Sequence, residues 1–197
     1  MSTLDLDDRI LDAAMTEIGA QGWHGARLDA VAAAAGTTAA AVFARYPAKP
    51  AMVGAWIRRL NRRLVAAGLP GAGDDPRERL FDAVMNRLEM MAEAKPAIAA
   101  LRRAAPGDPE LALAMLMALG ETAQAFAWLA GIPAEGLRGA LRRKAIAALY
   151  VATLNDWLRD DSADLGRTMA ALERRLDRAG RWLGAVPDRA QAAKAAE

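Results

Sequence analysis

Residues 31–53 read VAAAAGTTAAAVFARYPAKPAMV, and this stretch decides how the rest of the chain is read. Gly36 closes an alanine-rich helix, because a residue without Cβ enters the left-handed conformation cheaply. Thr37 or Thr38 can cap the next helix with its hydroxyl. That helix, Thr38 to Tyr46, is stopped by Pro47, and Pro50 stands near the start of another, where proline is favoured. The pattern is the second half of a helix-turn-helix.

The turn is preceded by an amphipathic helix from about Asp7 to Gln21. Ile10, Leu11, Ala14, Met15 and Ile18 form its apolar face, and Gly22 ends it. Trp23 is expected to plug a small core beneath the head. A second helix covers Leu28 to Ala35, with Leu28 and Val31 inward and Arg27 where a capping hydroxyl would be favoured.

From Val31–Ala32, Ala35–Gly36, the aromatics Phe43 and Tyr46, and Lys49, the chain resembles the tetracycline-repressor (TetR) family of one-component transcription factors. The resemblance implies an all-α fold of about nine helices. It divides the chain into a helix-turn-helix head (1–49), a connecting helix four and linker (50–74), a ligand-binding and dimerising bundle (75–186) and a flexible tail (187–197). It also implies that Thr37, Thr38, Phe43, Arg45, Tyr46 and Lys49 meet double-stranded DNA at a palindromic operator, with Tyr46 and Lys49 on phosphates.

The residue chemistry of that helix is sparse. Among TAAAVFARY and its preceding threonine, only Thr37, Thr38 and Arg45 carry the groups that commonly read base edges, with Tyr46 as a further candidate. Up to Lys49 the head has four basic residues against six acidic ones, an unfavourable balance for a phosphate-binding surface. The net charge of +2 for the whole chain gives no sign of nucleic-acid binding either.

Composition excludes several other classes. With 54% apolar and only 5% aromatic residues, dominated by alanine and leucine, the chain favours helices over strands. The absence of cysteine rules out disulfides and thiolate metal sites. The acidic N-terminus is unlike a signal peptide, and the apolar run Leu111–Gly120 is too short to cross a bilayer, so a cytoplasmic protein without stable membrane insertion is expected. The single histidine, His24, lies in an interhelix turn, where a surface or capping role fits better than catalysis. No catalytic residue, metal ligand set or cofactor site is expected. Asp160, Asp161 and Asp164 read as a helix N-terminus rather than a metal cluster.

Helix four, from Pro50 to about Ala67, carries Arg58, Arg59, Arg62 and Arg63 on one face. They form either a phosphate- or anionic-lipid-binding patch or a solvated face partly paired with Asp or Glu of a neighbouring helix. Gly68–Asp75, GLPGAGDD, is the best linker. Asp75–Pro76 and Asp108–Pro109 start helices five (to about Ala94) and seven (to Gly131); Pro96 starts helix six, to about Ala105. Helices eight and nine cover about Leu137–Arg159 and Ala163–Leu183, the latter capped by Ser162 or Asp164.

The second half bears another resemblance. RLEMMAEAKPAI (87–98) and LNDWLRDDSADLGRTMAALERRLDR (154–178) are similar to the lipid-binding accessory protein family of ubiquinone (coenzyme Q) biosynthesis, itself built on a TetR-like fold. Trp157, Asp160, Asp161, Ser162, Thr168, Leu172, Arg174 and Arg175 carry that similarity.

Two readings follow. One is a TetR-type regulator, a repressor released by a hydrophobic small molecule, with Met85, Leu88, Met115, Leu119 and Phe126 lining an apolar pocket. The methionines could equally be core filler. The other is a lipid- or isoprenoid-binding accessory protein without DNA binding. Either would be a homodimer through Tyr150, Val151, Leu154, Met169, Leu172 and Leu176, and neither is an enzyme.

Overall fold

The computed structural model describes residues 3–69, 73, 75–162 and 164–183. Among these there are nine α-helices and no strand, as the composition predicts. The helices are α1 (Thr3–Gly25), α2 (Leu28–Ala34), α3 (Ala39–Arg45), α4 (Lys49–Ala67), α5 (Pro76–Glu89), α6 (Lys95–Ala104), α7 (Pro109–Leu129), α8 (Gly136–Trp157) and α9 (Gly166–Leu183). The expected tail 187–197 and the expected helix start at Ala163 lie outside the described residues.

Helix boundaries follow the local chemistry. Gly22, at φ 74°, interrupts α1 where the helix was expected to end, and one further turn carries Trp23. Helix five stops at Glu89 rather than Ala94, and residues 92–94 form a 3₁₀ turn. Pro96 has no N–H to offer the carbonyl of Ala92, so an α-helix running into it would lose a bond and meet the proline ring.

The chain divides into two compact units, Met1–Gly68 with Asn86–Ala125, and Leu69–Met85 with Phe126–Glu197. The opening segment of the first unit ends at Gly68, where the helix α4 has closed. The interleaving does not follow the order of the chain: α5 passes from the second unit to the first after Met85, and α7 passes back after Ala125.

In the first unit the apolar face of α1 is buried as its spacing predicts, with Ile10, Leu11, Ala14, Met15 and Ile18 all inside. It packs on α2, α4 and α6. Met52, Val53, Trp56, Leu60 and Leu64 supply the facing stripe of α4. Each such side chain contributes about 1.5–3 kcal/mol through removal of apolar surface from water.

In the second unit α8 packs on α9. Phe126 and Tyr150 meet edge-to-face with ring centroids 5.1 Å apart, and Trp157, Leu172 and Leu176 are wholly enclosed. Gly139, near the start of α8, lies so close to the backbone of Ala134 that a Cβ would stand 2.1 Å from its carbonyl carbon.

Among the described residues α7 is the one helix whose length and mean hydropathy, 1.3 over its best window, would suit a membrane span. The helix is longer than the apolar segment Leu111–Gly120 because it takes in Glu110 and continues past Glu121. Leu111, Ala118, Ala123, Phe126 and Ala127 bury one side of α7 inside the protein, while Leu113, Leu116 and Met117 are exposed.

Candidate DNA-binding head

The turn between α2 and α3 forms as its residues require. Gly36 adopts φ 64°, and the N–H of Thr37 donates to the carbonyl of Ala32 at 2.9 Å, closing the end of α2. Thr38 is the N-cap of α3, its Oγ1 accepting from the N–H of Ala41 at 3.2 Å. Val42 is fully buried and anchors α3 to the head, which leaves Thr38, Ala39, Ala40, Phe43 and Ala44 facing solvent.

Phe43 is 57% exposed on the same side of α3 as Ala39 and Ala40. Arg45 is also exposed, but its Nε lies 3.0 Å from Asp7 Oδ1 and its Nη1 donates to the carbonyl of Ala41. Its partner is Asp7 of α1, while Asp29 pairs with Arg27. Arg27 stands at the N-cap of α2 without making a capping bond and forks onto Asp29, with Nε to Oδ1 and Nη2 to Oδ2 both at 3.0 Å. That fork holds the Asp29 carboxyl below its ordinary value. Tyr46 is half-buried at the end of α3, and burial pushes its phenol up, so the hydroxyl keeps its proton at neutral pH.

Lys49 has a structural task that the motif did not reveal. Its ammonium donates to the carbonyl of Trp23 at 2.7 Å and of Ala26 at 3.2 Å, and sits 4.7 Å from the Trp23 ring centroid. An ammonium has three donors, so one remains for an outside acceptor such as a phosphate oxygen. Trp23 is buried as expected, and its Nε1 donates to Asp108 Oδ2 at 2.7 Å, 85 residues away. Asp108 also caps α7 through the N–H of Leu111 at 3.0 Å, and these two bonds hold its carboxyl below the usual range.

The arginine run of α4 is largely turned to internal pairing. Arg59 is 5% exposed and bonds to the backbone oxygen and Oδ1 of Asp8, both at 3.0 Å, and to Asp12. Arg63 reaches Asp8 Oδ2 at 3.2 Å, and Arg58 lies 4.0 Å from Glu121. Of the two meanings the run allows, the paired surface is the one the geometry supports. Spacing placed the four arginines on one helix face, but only the fold placed carboxylates opposite them.

The other expected residues fall as follows. Leu88 is buried and Met115 and Leu119 are half-buried in the first unit; Met85 and Phe126 are buried in the second. None of the five borders either of the two grooves described. One groove, of about 550 Å³, lies in the first unit beside Met15, Trp56, Arg59 and Met90. The other lies in the second unit along α9. Of the six residues expected at a dimer contact, Tyr150, Leu172 and Leu176 are already buried within the chain. Val151, Leu154 and Met169 are half-buried.

The acidic turn before α9 resolves clearly. Asp160 is buried, and its Oδ2 accepts from the N–H and Oγ1 of Thr168 at 2.8 and 2.7 Å, while Oδ1 accepts from Ser162 Oγ at 2.5 Å. Ser162 and Thr168 together hold its carboxyl far below the ordinary value. Asp164 accepts from the N–H of Gly166. The cluster serves a helix start, and the carboxylate that does most is Asp160, not the expected Ser162 or Asp164.

Residues 10–55 match the family model of the bacterial regulatory proteins, tetR family. The chain has the TetR fold. Residues 110–182, covering most of the TetR-fold bundle, match the COQ9 model. A TetR transcriptional regulator from Nitrosomonas europaea superposes with a TM-score of 0.70 at 22% identity, over 90% of this chain and 98% of that one. One from Rhodococcus sp. RHA1 gives 0.67 at 13% identity, over 88% and 94%. Salmonella enterica GusR gives 0.65 at 18%, over 93% and 98%. No curated protein matches the chain in sequence.

Proposed function

We propose that the chain is a DNA-binding transcriptional regulator of the TetR type, a cytoplasmic homodimer acting as a repressor that a hydrophobic small molecule releases from a palindromic operator. The observation that carries this reading is the capped and anchored α3, which presents Thr38, Phe43 and Arg45 to solvent within the segment matching the tetR model. A two-fold dimer would set two such helices in successive major grooves. Thr37 and Thr38 would approach bases or phosphates, Phe43 would pack on the duplex, Tyr46 and the third donor of Lys49 would take phosphates, and Arg45 would have to leave Asp7 to read a base. Leu88, Met115 and Leu119 of the first unit would supply apolar surface for the effector, and the protein would be a binding protein, not an enzyme.

The test is binding of the full chain to its own upstream DNA and to random duplex across a salt series. Preference for the upstream DNA, with affinity falling as salt rises, is expected. Equal weak affinity for both sinks the repressor reading.

A second reading is favoured by the COQ9 match over 110–182 and by the exposed Leu113, Leu116 and Met117 of α7. In it the chain is a lipid- or isoprenoid-binding accessory protein without DNA binding. Failure of DNA binding together with saturable uptake of an isoprenoid lipid supports it.

A further inference from the structure

The groove along α9 is rich in arginine. It measures about 590 Å³ and is lined by Arg159, Arg167, Arg174, Arg175 and Arg178, with Asp156 as the one carboxylate and Gly166, Ala170 and Ala171 as its floor. Arg175 and Asp156 neutralise each other, Nη2 to Oδ2 at 2.5 Å. Four arginines then remain, and among the described residues none of them has a carboxylate partner. Arginines outside the groove that do have one include Arg77 with Asp177, Arg59 with Asp8 and Asp12, and Arg27 with Asp29. The paired Arg175 also keeps a buried Nη1 without a hydrogen-bond partner among those residues.

Like charges gathered in one concavity repel each other and raise the local concentration of anions. Arginine matches a phosphoryl group better than lysine does, because its planar fork gives two parallel bonds to two oxygens. Arg167, Arg174 and Arg178 stand at i, i+7 and i+11, about two and one turns apart on one side of α9. The small floor leaves apolar surface beside the charges. The volume lies within the roughly 300–1,000 Å³ usual for small-ligand sites, larger than a bare phosphate needs.

We propose that this groove binds a small organic molecule bearing a phosphate ester or diphosphate. Arg167, Arg174 and Arg178 hold the phosphoryl oxygens, and the organic part lies over Ala170 and Ala171. The site is separate from the head and does not depend on the regulator reading. Met169, the more accessible of the α9 residues expected at a dimer contact, stands roughly 140–180° round that helix from those three arginines at 3.6 residues per turn.

Titration calorimetry on the full chain with inorganic pyrophosphate tests it. The comparison is with the double variant Arg174→Gln/Arg178→Gln and with a charge-matched control elsewhere, Arg62→Gln/Arg103→Gln. Saturable binding of one pyrophosphate per chain, weakened at least tenfold in the groove variant and unchanged in the control, is expected. Ala170→Glu, which sets a carboxylate in the floor and removes no arginine, should abolish binding too. The same proteins are assayed on vesicles containing phosphatidylglycerol. If only vesicles bind, and the groove variant alone loses them, the phosphoryl group is a lipid headgroup and the site stands. Equal weakening in groove variant and control reduces the effect to general charge attraction and overturns the proposal. So does an absence of binding to either probe, or groove-dependent binding of duplex DNA alone.

Discussion

The ammonium of Lys49 lies 2.7 Å from the carbonyl oxygen of Trp23 and 4.7 Å from the centre of its ring. The first residue of α4 therefore clamps the last turn of α1. Lys49→Met keeps most of the stem and removes the charge, leaving the carbonyls of Trp23 and Ala26 without that donor. A loss of about 1–3 kcal/mol in urea unfolding is expected, the usual cost of orphaned polar groups. The salt slope of DNA binding should also fall by about one unit, because the third donor is lost. Unchanged stability would show that the clamp contributes nothing.

Arg45 is held by Asp7, so the head withholds its best base-reading group. Asp7→Ala should raise affinity for duplex DNA by freeing that guanidinium and removing a negative charge. Arg45→Ala in the Asp7→Ala background should then cost about 1–3 kcal/mol of discrimination if the freed group reaches a guanine bidentately. Fluorescence anisotropy with upstream and random duplexes measures both. Identical affinities in wild type and Asp7→Ala would exclude Arg45 from recognition.

Asp160 ties α9 to the end of α8 as a carboxylate. Its folded pKa is depressed, so its contribution is fully present above the unfolded value of about 3.9 and is lost as pH falls below it. Unfolding midpoints from pH 3 to 7 should fall below about pH 4. Asp160→Asn should be less stable at pH 7 and flatter across that acid range. Asp108 has the same sign, so its contribution persists in the variant. Parallel profiles for the two proteins would contradict the account.

Two glycines in helices should behave oppositely. Gly139 has no room for a Cβ against Ala134, whereas nothing lies within 4 Å of one at Gly120. Gly120→Ala should stabilise by about 0.5–1 kcal/mol through helix propensity. Gly139→Ala should destabilise by about 1–3 kcal/mol or more, as overpacking does. Thermal denaturation of the pair decides, and a stabilised Gly139→Ala would mean that the loop before α8 yields easily.

The dimer contact should rest on residues the single chain leaves accessible. Met169→Arg is expected to dissociate a dimer, seen by light scattering, with the thermal transition of the chain retained. Leu172→Arg should instead disrupt the second unit itself, since Leu172 is fully buried within one chain. A wild-type monomer at micromolar concentration would remove the dimer from the proposal.

The helices, the turn at Gly36, the Thr38 cap and the proline-led starts of α5 and α7 were legible because each depends on a few neighbouring residues. Apolar period, a missing Cβ or a missing N–H acts within one or two turns. The tertiary structure decided everything that depends on who stands opposite whom. It set Asp7 against Arg45 and Lys49 on Trp23. It placed Trp23 on Asp108 across 85 residues and buried Leu172 inside one chain. Charge pairing and burial act through space over a few ångströms, and residues far apart along the chain become neighbours only once the helices pack. The arginines of α9 show both limits. Their spacing puts them on one helix face, but only packing against the end of α8 makes that face a groove.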